Sequence, residues 1–292
     1  MFTATLLANP DRANLDHTTV ESVRNAWGGG EARWLNPGTA AEFPLPAMPA
    51  NRWDVWQSLQ SLGFDLVLQP TANRRKRLLI ADMDSTMIRQ ECIDELAAEA
   101  GVGTHVAAIT ARAMNGELDF EAALTERVGL LKGLAEGVIA KVLAERITMM
   151  PGGATLVATM KANGAYTALV SGGFTSFTGP VAARLGFDEH RANTLPATNG
   201  ILTGDVVRPI LGREAKVAAL RDISARLDIT PADAIAVGDG ANDLGMMGLA
   251  GTGVALHAKP SVQAQCDIRI NHGDLTALLY LQGYAADEFA DV

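Results

Sequence analysis

The sequence predicts an α/β protein: a parallel sheet flanked by helices, interrupted by a helical cap and preceded by a small α+β unit. Three observations carry that reading. From Lys76 onward, short apolar runs alternate with helical patterns, as in a sheet of βαβ units. Several of those runs end in acids, hydroxyls and glycines, the residues expected where ligands bind beyond the carboxyl ends of parallel strands. Residues from about 90 to 148 break the alternation and are helical in pattern almost throughout, which marks an insertion.

Taken in order, residues 1–72 form one compositional unit. Phe2 to Leu7 reads as a strand, and Asp16 to Trp27 as a helix ended by Gly28, Gly29 and Gly30. Residues 31–51 carry Pro37, Pro44, Pro46 and Pro49 and read as loop with a short strand. Trp53 to Leu62 is helical, Gly63 caps it, and Phe64 to Gln69 is a strand. A linker over 70–75 leads to the second unit, 76–292. Its strand candidates are Arg77–Ala81, Tyr166–Val170, Ala234–Val237, Val254–Leu256 and Ile268–Ile270. The helices between them are Gly153–Asn163, Ser176–Leu185 and Glu214–Leu227.

A chain of 292 residues that is 48% hydrophobic can bury a sizeable core, and its length suits two domains. The net charge of -9 argues against nucleic acid as a partner, since the one basic cluster, Arg74 to Arg77, reads as a solvated linker. Cys92 and Cys266 lie far apart without a CxxC pattern, which argues against a disulfide scaffold or a zinc site. The N-terminus lacks a basic stretch followed by an apolar core, and no run approaches the roughly 18 apolar residues of a membrane helix. The expectation is a cytoplasmic protein with no membrane partner.

Four segments carry chemistry. In the first, the apolar run Leu78-Leu79-Ile80-Ala81 delivers Asp82 and Asp84 at its end, where two acids can share a divalent cation while one attacks and the other moves protons. In the second, Thr167 to Val170 leads to Ser171, Gly172 and Gly173, a hydroxyl and bare backbone able to approach an anion. An ordinary strand-to-helix turn would look the same. The third is Lys216, in isolation a surface lysine. The fourth, Ala234 to Val237, ends in Gly238-Asp239-Gly240-Ala241-Asn242-Asp243. Asp239 can complete an oxygen cage, and Asn242 can hold a substrate or Lys216. Carboxylates without nearby His or Cys ligands point to Mg²⁺ rather than zinc.

With these motifs in order, the chain resembles the haloacid dehalogenase superfamily, and within it the phosphoserine phosphatases. The closer resemblance rests on Asp82-Met83-Asp84-Ser85-Thr86, Glu91, Asp119-Phe120, Glu126 to Leu131, Ser171 to Phe174, and Gly238 to Asp243. It implies a Rossmann-like core with a helical cap and Mg²⁺-dependent hydrolysis of phosphoserine, the last step of serine biosynthesis. Asp82 would be the nucleophile and Asp84 the general acid and base. Asp82, Asp239 and the Asp84 backbone carbonyl would hold the metal, with Asp243 behind them. Lys216, Ser171 and Gly172 would bind the phosphoryl oxygens. Glu91 would meet the substrate ammonium and Arg127 its carboxylate, with Phe120 and Met114 as apolar cover. Met83 stands where many members carry Phe, and its side chain should point away from the substrate. The N-terminal unit resembles ACT-like regulatory domains, which implies effector binding or a homodimer. The rivals are a phosphatase or phosphotransferase acting on another small phosphomonoester, and a receiver module phosphorylated without turnover.

Overall fold

The computed structural model describes residues 1–114 and 118–292, with the side chains of 113 and 114 outside the description. The first sheet is built from β1 (Phe2–Ala8), α1 (His17–Ala26), β2 (Arg33–Asn36), β3 (Ala40–Leu45), α2 (Arg52–Leu62) and β4 (Phe64–Pro70). Its strands are antiparallel in the order β2-β3-β1-β4, the β-α-β-β-α-β arrangement of ferredoxin-like units. Asp16 caps α1 by accepting from the Thr19 amide, and Gly63 ends α2 at φ 86. Residues 31–51 hold two strands where the sequence reading expected one. Pro44 lies within β3 without disrupting it, because β2 stops opposite Glu42 and demands no donor beyond that point.

The second part of the chain alternates as expected. It comprises β5 (Leu78–Ala81), then α3 (Cys92–Glu99), α4 (Gly103–Met114), α5 (Phe120–Gly129) and α6 (Gly137–Glu145) of the insertion. The core resumes with α7 (Gly153–Ala162), β6 (Tyr166–Phe174), α8 (Thr175–Leu185), β7 (Glu189–Asn193), β8 (Ala197–Thr198), β9 (Ile201–Leu202) and α9 (Arg213–Arg226). It closes with β10 (Ala234–Gly238), α10 (Leu244–Leu249), β11 (Thr252–Leu256), α11 (Pro260–Gln263), β12 (Ile268–Ile270) and α12 (Ala277–Leu281). Six strands form a parallel sheet in the order β12-β11-β10-β5-β6-β7. The central β5 and β10 are buried on both faces, which explains their unbroken apolar runs. The edge strand β7 is half-exposed, and its Glu-His-Arg-Ala-Asn sequence gives no apolar signal. The β8–β9 hairpin turns on Asn199 and Gly200, both at positive φ, and the Gly200 carbonyl accepts from the Glu136 amide of the insertion.

Both faces of the antiparallel sheet are buried, one apolar and the other mixed, since Thr3, Thr5, Glu42, Asp65 and Gln69 share a face with Leu7, Ala40 and Val67. Ala4, Leu6 and Phe43 pack under its own helices, whereas Leu7, Ala40 and Val67 join the core that holds Leu278 to Leu281. Polar contacts fix the docking. Buried Asp65 accepts from the amides of Asn271, His272 and Gly273 at 2.8–2.9 Å, and Gln69 donates to the Leu281 carbonyl at 2.6 Å. No helix among the described residues is long and apolar enough to cross a membrane.

Candidate active site

The site lies at the carboxyl ends of β5, β6 and β10, which are adjacent in the sheet or one strand apart. The Asp82 amide donates to the Val237 carbonyl, so the last rung of the ladder fixes the acid where the strand ends. Asp82 is buried, and its Oδ1 lies 2.7 Å from Nζ of Lys216. The same Nζ is 2.6 Å from Oδ1 of Asp243, and neither side chain has solvent access. The lysine is therefore no surface residue. It projects from the first turn of α9 and ties the loops after β5 and β10 together. Burial works to lower its pKa, but the charges of Asp243 and Asp82 outweigh that and hold it above the usual range.

Carboxylate oxygens of Asp82, Asp239 and Asp243 all lie within 4.8 Å of one another. The carboxyl of Asp239 is pushed up to about 7, by burial first and then by the charge of Asp82. That of Asp243 is pushed up to about 6, again by burial and then Asp82. One lysine leaves this acidic cluster short of positive charge, and a divalent cation held by oxygens suits it. Asp243 is already engaged: its Oδ1 meets Lys216 and its Oδ2 accepts from the Gly240 amide at 3.0 Å. Asp82 and Asp239 are thus the better-placed side-chain ligands, with Asp243 bracing them.

Asp84 sits one turn onward, where it accepts from the Cys92 amide at the start of α3 at 3.2 Å. Its carboxyl is pushed up to about 8, first by burial beneath the insertion and next by the charge of Glu91. A carboxyl in that state keeps its proton near neutral pH and can give it to a leaving group. Gly173 makes room for it, since a Cβ there would lie 2.8 Å from Asp84 Oδ2. Met83 has no solvent access and packs into the core, with its methyl 3.3 Å from where a Cβ on Gly173 would stand.

The Ser171 loop is preorganised. Ser171 is buried and its Oγ accepts from the Gly173 amide at 2.9 Å. The Gly172 carbonyl accepts from Asn193 Nδ2, which also binds the Leu211 carbonyl just before α9. The insertion lies closed over this floor. The Phe120 ring, at the start of α5, lies 3.1 Å from where a Cβ on Gly172 or on Gly212 would stand. Glu91 stands at the N-cap position of α3 and accepts from Ser85 Oγ at 2.6 Å. Ser85 itself adopts φ 54, a strained conformation at the loop that carries both acids. Arg127 is half-buried, donates to its own helix at the Ala123 carbonyl, and makes no ion pair among the described residues. Burial lowers its pKa, against the opposing charges of Asp94, Glu91 and Asp84.

Most of the residues singled out from the sequence therefore converge. Asn242 does not hold Lys216: its amide oxygen folds over Gly240, and the lysine is taken by two carboxylates. The Met114 side chain lies outside the described residues. The sequence motif includes Thr86 without giving it a role; its buried hydroxyl donates to Asp239 Oδ1 at 3.3 Å. Sequence reasoning missed Asn193, on the polar edge strand, for which no motif gives a signal.

Fold and site together define a class: hydrolases that present paired aspartates at the centre of a parallel α/β sheet beneath a helical cap. The haloacid dehalogenase-like hydrolase family matches residues 79–248, and the chain belongs to that family. A phosphoserine phosphatase of Streptomyces coelicolor is 41% identical over 256 residues, 86% of this chain and 62% of that one, so the chain spans less than two thirds of its length. A haloacid dehalogenase family hydrolase from Salmonella enterica serovar Typhi superposes with a TM-score of 0.86 at 34% identity, over 99% of this chain and 100% of that one. A phosphoserine phosphatase solved as a phospho-aspartyl intermediate analogue is 41% identical, with a TM-score of 0.66 over 70% of this chain and 98% of that one.

Proposed function

We propose that the protein hydrolyses O-phospho-L-serine to L-serine and phosphate, the last step of serine biosynthesis, in the cytoplasm. The observation that carries the substrate is the pair of opposite charges under the cap. Glu91 offers a carboxylate and Arg127 a guanidinium with no ion pair among the described residues, both facing the loop of Asp82 and Asp84. Free phosphoserine presents the complementary ammonium and carboxylate, and an Arg fork suits the latter. The unpaired thiols Cys92 and Cys266, both buried, fit a reducing compartment.

Asp82 attacks phosphorus in line, the phosphorus–oxygen bond to serine breaks, and an aspartyl-phosphate forms. Asp84 protonates the departing serine oxygen. It then takes a proton from the water that attacks the aspartyl-phosphate, which returns Asp82 and releases phosphate. Lys216, the Ser171 hydroxyl and the Gly172 amide stabilise charge on the phosphoryl oxygens. Asp82, Asp239 and the Asp84 carbonyl would hold Mg²⁺, which would offset repulsion between the substrate phosphate and the acids. Phe120 closes over the Ser171 loop, which limits the access of bulk water to the aspartyl-phosphate. We assign this work to residues 76–292, with the cap at about 90–148 and an ACT-like unit at 1–72.

The test is phosphate release from phosphoserine, phosphothreonine, phosphoethanolamine, glycerol phosphate and a sugar phosphate, with the wild type and Arg127→Ala. The proposal expects phosphoserine to be preferred by the wild type. It also expects Arg127→Ala to lose that preference over phosphoethanolamine, which lacks the carboxylate. Equal activity across the panel would remove the serine assignment while leaving a family phosphatase. Phosphate passed to added alcohols would indicate a phosphotransferase.

A further inference from the structure

A cavity of about 400 Å³ lies between the N-terminal sheet and the core, away from the catalytic loops. Its volume is in the range that small ligands occupy. One wall is α2 and β4, with Trp53, Trp56 and Leu66. The opposite wall is α10, with Leu244 and Met247. α10 starts directly after Asp243, so the cavity and the acidic cluster share one helix.

The charge of the lining is unbalanced. It sets Arg52, Arg74 and Lys76 against one acid, Asp267. Arg74 is neutralised by Glu42 at 2.7 Å. Lys76 is not neutralised in that way. It is 8% exposed, its ammonium donates to the neutral carbonyl of Ala232 at 2.8 Å, and it makes no ion pair among the described residues. The nearby Asp233 carboxylate is bound instead to the amide and hydroxyl of Thr230. Gly251, also in the lining, leaves the space that Nζ fills, since a Cβ there would stand 2.8 Å from it. Arg52 lies 5.2 Å over the Trp53 ring and likewise makes no ion pair among the described residues. The Asp233 charge acts on the Lys76 ammonium without a direct ion pair, so the cost of burying it is only partly offset. Arg269, outside the lining, lies 4.1 Å over Trp53 and 5.1 Å over Trp56, whereas Arg52 and Lys76 belong to the lining itself. Two cations and two indoles lining a cavity of this size match a ligand with an acid group and a flat apolar body.

We propose that this cavity is a second binding site, for a small organic anion with a planar apolar body. Its acid group sits at Lys76 and Arg52, and its flat part lies against Trp53 and Trp56. The proposal does not depend on which phosphate ester the active site takes.

The test uses the full chain and two fluorescent probes of similar shape, anilinonaphthalene sulfonate and the uncharged N-phenylnaphthylamine. Binding is read by probe emission and by energy transfer from tryptophan. The expected result is saturable binding of the sulfonate at one per chain, with affinity about tenfold lower in Lys76→Met. Arg52→Ala should weaken the sulfonate severalfold, and neither change should alter binding of the neutral probe. Arg52 is only half-buried, so its variant carries the test if Lys76→Met fails to fold. Failure of the sulfonate to saturate, equal binding of both probes, or wild-type affinity in a folded variant would overturn the site.

Discussion

Asp239→Asn should make the metal-free protein more stable while removing its function. The carboxyl of Asp239 is shifted from 3.8 to about 7, burial contributing most and the charge of Asp82 next. A carboxyl raised in this way binds more protons in the folded chain than in the unfolded one between those values. The stability it contributes is present below 3.8 and is lost as pH rises towards 7. Taken whole, that span corresponds to about 4 kcal/mol, and partial solvent access lowers the expectation to about 2–3 kcal/mol. Asparagine removes the ionisation and keeps an oxygen to accept from Thr86. Urea unfolding in chelator should therefore favour the variant by about 2–3 kcal/mol near pH 8, and the difference should vanish near pH 4. Added Mg²⁺ should raise the midpoint of the wild type but leave that of the variant in place. A variant less stable than the wild type in chelator near pH 8, or a difference independent of pH, would refute the reasoning.

Three further outcomes follow from the geometry. Gly173→Ala places a methyl 2.8 Å from Asp84 Oδ2, so kcat should fall by about a hundredfold or more with the unfolding midpoint little changed. Asp65→Ala leaves the amides of Asn271, His272 and Gly273 without their acceptor, and should cost about 3 kcal/mol or more in urea unfolding. Arg127→Lys keeps the charge but loses the planar fork, so KM for phosphoserine should rise about tenfold or more while kcat changes less.

Much of the core was legible because buried parallel strands leave an unambiguous mark. Leu78 to Ala81 and Ala234 to Val237 are apolar throughout, since both of their faces are covered, and each ends in acids where the sheet opens to ligands. The convergence of Asp82, Lys216 and Asp243 could be expected from motif order, but not from the lysine itself. Its burial is created by tertiary packing of α9 against the β10 loop. Strand β7 escaped notice because an edge strand has one partner and tolerates charge. Asn193 escaped with it. The hairpin at Asn199-Gly200 was readable as a turn, yet its two-residue strands are too short to register as a pattern. The double-sided character of the N-terminal sheet was half visible. Adjacent Leu6 and Leu7 point to opposite faces, but the second face, which the larger unit covers, also carries Thr3, Thr5, Glu42, Asp65 and Gln69, so no apolar alternation marks it as buried.

The most direct test of the account is to quench the reaction in acid during turnover of phosphoserine radiolabelled in its phosphate, and then to map the label by proteolysis. The account predicts label on the tryptic peptide Leu78–Arg89, which carries Asp82, and none on Asp82→Asn. Steady phosphate release with no label on that peptide, or an active Asp82→Asn variant, would contradict it.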